Sequence, residues 1–112
     1  MMNSCNFTGR LVDNPKLFEG EASRVTFSLA VDRDFIPEDG GKSVDYLDFV
    51  AWRETANYIM RHFRKGDLMQ VVNSRARIKT FTGKDGEEKR KTEYEVGKVY
   101  CLLRKRRQDT DE

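Results

Sequence analysis

The apolar side chains of this chain recur at every second position along much of its length, but at helical spacing in one segment near the middle. In the stretch VTFSLAV, residues 25–31, apolar residues alternate with small or polar ones, which is the pattern of a β-strand with one buried face. Over residues 54–65 the period changes, and apolar residues fall at i, i+3, i+4 and i+7: Ala56, Ile59, Met60 and Phe63. The sequence therefore predicts a β-domain that contains one amphipathic helix.

Turn-forming residues divide the rest of the chain into five predicted strands. The first covers residues 3–12 and ends at an Asp-Asn-Pro turn, because proline lacks a backbone donor. The second covers residues 22–34 and precedes the stretch PEDGGKS, residues 37–43, which we expect to be an exposed, mobile loop. The others are predicted over residues 45–53, 68–81 and 91–103, and Gly66 is expected to end the helix at its C′ position.

Three strands, a helix and two further strands are the order of an all-β, five-stranded OB-fold barrel with its helix between strands three and four. An SH3-like barrel does not need this helix, and a ferredoxin-like fold needs a second one. The 112 residues suit one domain, and 38% hydrophobic content argues against a disordered chain. We predict an OB-fold domain over residues 1–104 and a short polar tail, frayed from the domain, over residues 105–112.

Several classes of protein are disfavoured by what the sequence lacks. No apolar run approaches the roughly 18 residues of a membrane span, and the start MMNSCNFTGR does not resemble a signal peptide. Cys5 and Cys101 lie far apart without the spacing of a zinc site or redox pair. We therefore expect a cytoplasmic protein without metal or cofactor, whose two thiols are reduced and lie in the core or at an interface.

Positive charge is concentrated in the last third of the chain. Residues 1–74 carry 9 basic against 11 acidic residues, whereas residues 75–112 carry 12 against 8. One side of the predicted fourth strand carries three cations and a ring: Arg75, Arg77, Lys79 and Phe81. The other side carries small or apolar residues: Ala76, Ile78 and Thr80. The first set is suited to phosphate contacts beside a stacking ring, and the alternative is an ordinary solvated face with Phe81 folded onto loop atoms.

The predicted third strand has aromatic residues on both faces. Tyr46 and Trp52 share one face, and the smaller set on the other face makes the better interior: Leu47, Phe49 and Ala51. Large rings on an outer sheet surface either stack on bases or contact another subunit, and the pattern leaves both open. Strict alternation places Phe35, at the end of strand two, on the core face with Val31.

The remaining candidates for chemistry are weak. His62, the single histidine, lies opposite the apolar stripe of the helix and is expected to be solvated. Four carboxylates could suggest a metal site, but they lack ligand spacing and are better explained as surface salt bridges or loop groups: Asp32, Asp34, Asp45 and Asp48. No nucleophile, zinc-protease or phosphate-loop motif occurs, so we predict that the protein is not an enzyme.

Several segments, in order and at family spacing, resemble the bacterial and phage single-stranded DNA-binding proteins. They are TGRLVDNPKL, TFSLAVDRDF, DYLDFVAWRETANYI, RKGDLMQV and ARIKTFTGKDGEEKRKTEYEV, and the likeness covers residues 2–103. The resemblance implies single-stranded DNA as partner in replication, recombination or repair, and a homotetramer. It also implies that four rings stack on bases: Phe35, Tyr46, Trp52 and Phe81. For Phe35 it replaces the expectation of a buried ring.

Two features depart from the family pattern. Many members have a glycine in the middle of strand four, where this chain has Asn73-Ser74, so the bend there is not implied. Many also have a long tail with an acidic, hydrophobic tip that recruits other proteins, whereas this sequence ends with Asp-Thr-Asp-Glu. Tail-mediated recruitment is therefore not expected.

The sequence thus leads to one hypothesis and two alternatives. Unpaired strands run along the four rings, while basic side chains hold the phosphates: Arg75, Arg77, Lys79, Arg10 and Arg33. The alternatives are an OB-fold module for protein interaction, as in primosome-type accessory subunits, and a binder of single-stranded RNA. An OB-fold nuclease is disfavoured by the lack of a metal constellation.

Overall fold

The computed structural model describes residues 1–35, 37–41 and 43–106, and within these ranges it contains seven strands and one helix. In chain order they are β1 (Cys5–Leu11), β2 (Lys16–Phe18), β3 (Arg24–Asp32), β4 (Val44–Trp52), α1 (Arg53–His62), β5 (Leu68–Thr82), β6 (Glu88–Glu95) and β7 (Lys98–Leu103). No helix in these ranges has the length and apolar character of a membrane span.

The strands form one sheet that closes on itself. Strands β1, β3, β4, β6 and β5 pair in that order, and β5 also pairs with β1, which completes a circuit of five strands. The short strand β2 pairs with β3, and β7 pairs with β5. Along the chain, α1 lies between the third and fourth strands of the circuit, β4 and β5. This arrangement is consistent with an OB fold, so the predicted fold class is confirmed.

The hydrophobic core collects one face of the strands and the apolar stripe of the helix. Val25, Phe27 and Leu29 of β3 are buried, as their alternation predicted, and the ring of Phe27 stacks on that of Phe49 with centroids 5.1 Å apart. The helix contributes the buried Ala56 and Ile59 and the partly buried Met60, and Phe63, directly after the helix, is buried as well. The predicted stripe is therefore confirmed, and it joins α1 to the sheet.

The side chains of β5 exchange faces at Asn73. Met69 and Val71 are buried, and strict alternation would also direct Asn73 and Arg75 toward the core. Asn73 instead has a left-handed backbone, φ 56°, which asparagine tolerates better than most residues, and its N–H donates to Oδ1 of Asn6 at 2.9 Å. Ser74 is then the buried residue. The chain therefore has a bulge at this position, and the bulge turns Arg75 away from the core.

The prediction of a single strand over residues 91–103 is wrong, because the structure has two strands there, β6 and β7. The two strands pair with different parts of β5: β6 with residues 75–82, and β7 with residues 68–72. Between them, Gly97 lies so close to β5 that a Cβ atom there would overlap the carbonyl oxygens of Val72 and Asn73. The bulge in β5 and the break at Gly97 are therefore packed against each other.

The helix ends three residues earlier than predicted, at His62 rather than residue 65. Phe63 already has an extended backbone, and the N–H of Arg64 donates to Oδ2 of Asp67 at 2.9 Å instead of continuing the helix. Gly66 has a positive φ of 89°, but it lies in the following turn, where its N–H donates to the carbonyl of Leu11. The expectation that Gly66 occupies the C′ position is therefore wrong.

The histidine of α1 is less solvated than expected. The ring centroid of His62 lies 4.4 Å from that of Tyr58, one turn earlier on the helix, and the residue is half-buried. Its carbonyl accepts a hydrogen bond from Nη1 of Arg104 at 2.6 Å. The expected solvated histidine is instead partly covered by its neighbours.

The strand β2 was not predicted, because its three residues show no usable periodicity. It pairs with β3 in the register Lys16 to Thr26, Leu17 to Val25 and Phe18 to Arg24. The guanidinium of Arg24 lies 4.7 Å from the ring centroid of Phe18, a cation–π contact across this pair. Pairing with β3 across the short loop of residues 19–23 therefore defines β2.

Residues 104 and 105 are held against the domain rather than frayed. Arg104 donates to the carbonyl of His62, and the N–H of Lys105 donates to Oδ1 of Asp67 at 2.9 Å. Residues 107–112 of the predicted tail lie outside the described residues, as do residues 36 and 42 beside and within the predicted loop. The division of the chain at residue 104 stays a prediction.

The two cysteines lie on different strands, Cys5 on β1 and Cys101 on β7. Both are free thiols and half-buried. Cys101 packs against the hydrophobic core. Its interpretation as a core thiol is confirmed, whereas an interface role for Cys5 stays a prediction.

Candidate nucleic-acid interface

The sheet register brings the residues singled out on β4 and β5 to one face. Directly paired residues of neighbouring strands project to the same side of a sheet. Val50 of β4 pairs with Glu95 of β6, and Glu95 pairs with Arg75 of β5, so the alternate residues of all three strands share a side. We call this side the outer face and define it by these residues: Tyr46, Trp52, Arg75, Arg77, Lys79 and Phe81.

The rings of the outer face are exposed to solvent. Tyr46, Trp52 and Phe81 are 67%, 40% and 41% exposed, while Phe49 and Ala51 on the opposite side of β4 are buried. The choice of the smaller set as the interior is therefore confirmed. Tyr46 and Trp52 are six residues apart on one strand, about 20 Å at the usual rise of a β-strand, so their rings can act as separate contacts.

The middle of the outer face is more closed than its ends. Val50 lies between Tyr46 and Trp52 in the same alternation, yet it is buried. Its register partners are Thr26 of β3 and Glu95 of β6, so neighbouring strands flank it on both sides. The β4 contribution to an exposed surface therefore comes from the two ends of the strand.

A strained turn positions Trp52 at the last residue of β4. The helix starts directly at Arg53, whose φ is 55°, an unusual value for a residue with a side chain. The N–H of Arg53 donates to the carbonyl of Ser23 at 2.8 Å, which ties this turn to the start of β3. Trp52 therefore projects from a junction that is held on both sides.

Phe35 is exposed, so its placement in the core from strict alternation is wrong. β3 ends at Asp32, and Phe35 lies three residues later in a bend, where the two-residue period no longer applies. It is 58% exposed. This exposure agrees with what the resemblance implied, although the stacking role of the ring stays a prediction.

Most of the basic side chains predicted to hold phosphates already contact carboxylates. Arg75 and Arg77 pair with Glu95 at 3.1 and 3.4 Å, and Arg33 pairs with Asp45 at 2.8 Å. Within residues 1–35, 37–41 and 43–106, Lys79 has no ion pair. The sequence pattern did not predict these pairs, because each acidic partner lies on another strand.

Arg10 lies in the same row of the sheet as Tyr46, with β3 between them. It pairs with Ala30 of β3, and Ala30 pairs with Tyr46 of β4 on its other side. Nη1 of Arg10 donates to the carbonyl of Gly66 at 3.0 Å. The guanidinium is thus oriented by a backbone contact rather than by an acid.

The carboxylate of Asp48 joins β4 to both neighbouring strands, β3 and β6, on the side of the sheet that carries the outer face. Its Oδ1 accepts from Oγ of Ser28 at 2.5 Å, and its Oδ2 pairs with Nζ of Lys91 at 2.6 Å. Burial alone raises the pKa of Asp48, but the hydrogen bonds from Lys91 and Ser28 and the charge of Lys91 outweigh it and lower the pKa below 3.8. The carboxylate therefore remains ionised at neutral pH.

The four carboxylates considered as a metal site do not form one. Asp45 and Asp48 form ion pairs, in agreement with the prediction of surface salt bridges. Asp32 and Asp34 are exposed. In the part of the chain that the structure describes, no three acidic, histidine or cysteine side chains lie close enough to hold a metal ion.

The outer part of β5 extends beyond the closed sheet as a hairpin with β6. Pairing with β1 ends at Ser74, and the side chain of Asn3 adds two hydrogen bonds to the backbone of Ala76. Beyond this point β5 pairs only with β6, and Ile78 is 61% exposed. The hairpin is therefore open on both faces, and its apolar side does not join the core.

A cleft of about 300 Å³ lies between this hairpin, β3 and the turn at residues 12–14. Ser28 and Asp48 contribute to its lining, and three lysines reach it from different strands: Lys16, Lys79 and Lys91. Lys16 and Lys91 were not among the predicted site residues. Lys91 pairs directly with Lys79, so the hairpin register was the signal that could have found it.

The amino-acid sequence is similar to those of known proteins over most of its length. Residues 2–102 match the model of the single-strand binding protein family. A single-stranded DNA-binding protein of Enterococcus faecalis is 34% identical over 78% of this chain and 47% of its own length. One from Bacillus cereus is 33% identical over 91% of this chain and 61% of its own length. Single-stranded DNA-binding protein 1 of Clostridium acetobutylicum is 30% identical over 94% of this chain and 97% of its own length.

The chain therefore spans about half to two thirds of the first two relatives, but almost all of the third. The matched region includes every strand and the helix apart from the last residue of β7, as well as all the predicted site residues.

Proposed function

Because the chain belongs to the single-strand binding protein family, we propose that it binds single-stranded DNA and catalyses no reaction. The observation that carries this proposal is the sheet register, which collects exposed rings and basic side chains on the outer face. OB folds bind oligonucleotides on such a face, between the loops that flank it, and the lysine-lined cleft occupies a corresponding position here. The residues that the sequence pattern selected on β4 and β5 are thus the ones that we propose as the DNA-binding surface.

Exposed rings supply contacts that do not depend on the base sequence. Every base has a π-face, and stacking on a protein ring contributes roughly 1 to 3 kcal/mol per base. Tyr46, Trp52, Phe81 and Phe35 are the proposed stacking residues. These residues lie on β4, on the hairpin of β5 and β6, and after β3. A single DNA strand that stacks on all of them would therefore contact several parts of the domain.

The basic side chains supply contacts to phosphates. Arg75, Arg77 and Lys79 follow one another along β5, while Arg10 and Arg33 lie near Tyr46. Exposed ion pairs contribute only about 0 to 1 kcal/mol each, so a phosphate can replace a carboxylate at these arginines. Binding should weaken as salt rises, with a slope of about −0.7 for each neutralised phosphate of a single strand.

Such binding keeps opened strands apart, because a ligand that binds only the single-stranded form disfavours re-pairing. We propose that the protein acts in this way during DNA replication, recombination or repair in the cytoplasm. We also propose a homotetramer, as the family resemblance implies. Light scattering with and without a long single strand tests the subunit count.

The chain contains one tryptophan, so its intrinsic tryptophan fluorescence reports on Trp52 alone. We expect oligothymidylate to quench this fluorescence at low salt and added salt to reverse the quench. Tyr46→Ala should weaken binding, whereas Tyr58→Ala, on an exposed ring of α1, should not. The absence of any quench or strand retention in dilute buffer would contradict the proposed function.

The same assay separates the two alternatives. A binder of single-stranded RNA would prefer oligouridylate to oligothymidylate in direct competition. For a protein-interaction module, replacing both Tyr46 and Trp52 with alanine would abolish assembly in light scattering without changing strand retention. Loss of retention with intact assembly supports the proposed function.

A further inference from the structure

Glu95 is the shared acidic partner of two basic residues on the outer face. Its Oε1 accepts from Nη2 of Arg75 at 3.1 Å, and its Oε2 lies 3.4 Å from Nη1 of Arg77. The side chain of Glu95 is 30% exposed, whereas that of Arg75 is 66% exposed. Both carboxylate oxygens are thus occupied, while each guanidinium keeps N–H groups that point elsewhere.

The position of Glu95 within the face brings its charge close to any bound strand. It lies on β6, directly between Arg75 of β5 and Val50 of β4, and Val50 is two residues from Trp52. A phosphate that contacts Arg75 or Arg77 beside a base stacked on Trp52 must therefore approach the Glu95 carboxylate. The trio of two arginines and one glutamate offers a net charge of about +1 instead of +2.

Glu95 has two opposing effects on binding. It keeps the two guanidinium groups side by side, which favours binding, and it repels the incoming phosphate, which opposes binding. The first effect is small, because exposed ion pairs constrain their side chains weakly. The second effect is the larger one, because the carboxylate repels the phosphate at short distance and also holds the guanidinium groups that the phosphate must contact.

We propose that Glu95 competes with DNA phosphates for Arg75 and Arg77, and thereby limits the affinity of the outer face and speeds release of the strand. This inference rests on the proposed function. The carboxylate occupies the guanidinium groups in the free protein and reoccupies them as a phosphate leaves. Since affinity differences within one interface arise mainly in the dissociation rate, the effect should be greatest there.

The competition also predicts a change in salt dependence. When a phosphate displaces Glu95, the freed carboxylate attracts a cation, which offsets part of the cation release from the DNA. Replacing Glu95 with glutamine removes this offset. The plot of log affinity against log salt should then become steeper by a fraction of a unit up to about 1.

Glu93 provides a matched control for Glu95. It lies on the same strand and the same face, and it pairs directly with Arg77 in the register. Within the described residues its carboxylate has no ion pair. Glu93 also lines the cleft beside Lys79 and Lys91. Glu93→Gln therefore removes a negative charge from the same proposed binding surface without releasing an arginine.

The experiment compares Glu95→Gln, Glu93→Gln and the unmodified protein by oligothymidylate titration and stopped-flow dissociation at several salt concentrations. We expect Glu95→Gln to bind about three- to ten-fold more tightly at low salt and to dissociate more slowly, whereas Glu93→Gln, which removes only general repulsion, should show a clearly smaller gain. Unchanged melting temperatures would show that both variants fold. Replacing Arg75 and Arg77 with glutamine should remove the gain from Glu95→Gln.

Equal effects of the two glutamate variants would overturn the inference, because they would indicate a general charge effect. Weaker binding of Glu95→Gln would also overturn it, since Glu95 would then act as a support for the arginines. So would a gain that persists without both arginines. These results require measurable strand retention, whereas a complete lack of retention at low salt would contradict the proposed function as well.

Discussion

The two halves of β5 lie in different environments, although they belong to one continuous strand. The inner half, up to Ser74, pairs with β1 and β7 and contributes the buried Met69 and Val71 to the core. The outer half pairs only with β6, and its residues beyond Ala76 are exposed on both faces. The inner half therefore stabilises the fold, while the outer half is free to supply the proposed binding surface.

The bulge at Asn73 separates the two halves and makes both roles possible. Residues of odd number face the core before it and face outward after it, so Met69 and Arg75 can occupy opposite environments. Without this exchange, the alternation that buries Met69 would bury Arg75 and Arg77 as well. One extra residue thus separates the stabilising part of the strand from the cationic part.

The largest expected effect is a loss of stability from the inner half. Met69→Ala should lower the free energy of unfolding by about 2 to 5 kcal/mol, because it leaves a cavity in a closely packed core. Ile78→Ala, in the exposed outer half, should change it by less than about 0.5 kcal/mol. Urea denaturation of both variants measures the difference, and similar losses would refute the division of β5.

The next effect concerns DNA affinity and the outer half. Lys79→Gln should weaken oligothymidylate binding several-fold at low salt and reduce the salt slope by about 0.7, because one phosphate contact is lost. The control is Lys98→Gln on β7, which pairs with the inner half of β5. Titrations at several salt concentrations measure both variants, and an equal loss for Lys98→Gln would show that net charge, rather than position, determines binding.

An effect on stability smaller than that of Met69→Ala should come from the bulge itself. Asn73→Ala should destabilise the protein by about 1 to 2 kcal/mol, because the Cβ of alanine disfavours the left-handed backbone at φ 56°. Asn73→Gly should be close to neutral or stabilising, since glycine adopts this conformation readily. Thermal unfolding distinguishes them, and an alanine variant as stable as the glycine variant would contradict the left-handed bulge.

The smallest effect is the pH dependence contributed by Asp48. Its pKa is lowered in the folded state because the hydrogen bonds and charge of its partners outweigh burial. The resulting stability is therefore fully present above the ordinary pKa of 3.8 and is lost as the pH falls through the lower folded value. The magnitude is small, since the carboxylate is partly exposed to solvent.

Asp48→Asn should lose less stability than the unmodified protein over this acidic range, as measured by urea denaturation at pH 5 and below. Ser28→Ala removes one of the hydrogen bonds to the carboxylate and should reduce the acid dependence in part. Identical pH profiles for all three proteins would show that this cluster does not contribute.

The elements with a strong local period could be predicted well. The alternation in β3 and the stripe of α1 depend on neighbouring residues, and both bury the side chains that the pattern selected. The cationic alternation of β5 was also correct, because it begins after the bulge and can be read without knowing that the bulge exists. The boundaries between elements were less accurate, since turns have no period.

Other parts of the candidate site could not be predicted from the pattern. The exposure of Phe35 depends on where β3 ends, and the pattern extended that strand too far. Lys91 and Lys16 reach the cleft only because a hairpin and an edge strand approach β3. The apolar side of the outer half of β5 looked like a core face, but within the described residues no other element covers it.

By itself, the sequence determined β1, β3, β4 and β5, the helix, their order, and the sides of β3, β4 and α1 that are buried. It did so because a two-residue or 3.6-residue period is a property of adjacent positions. Only the tertiary structure decided that one predicted strand divides at Gly97, that the hairpin projects, and that Glu95 holds both Arg75 and Arg77. These features arise from contacts between residues far apart in the chain, where local periodicity carries no information.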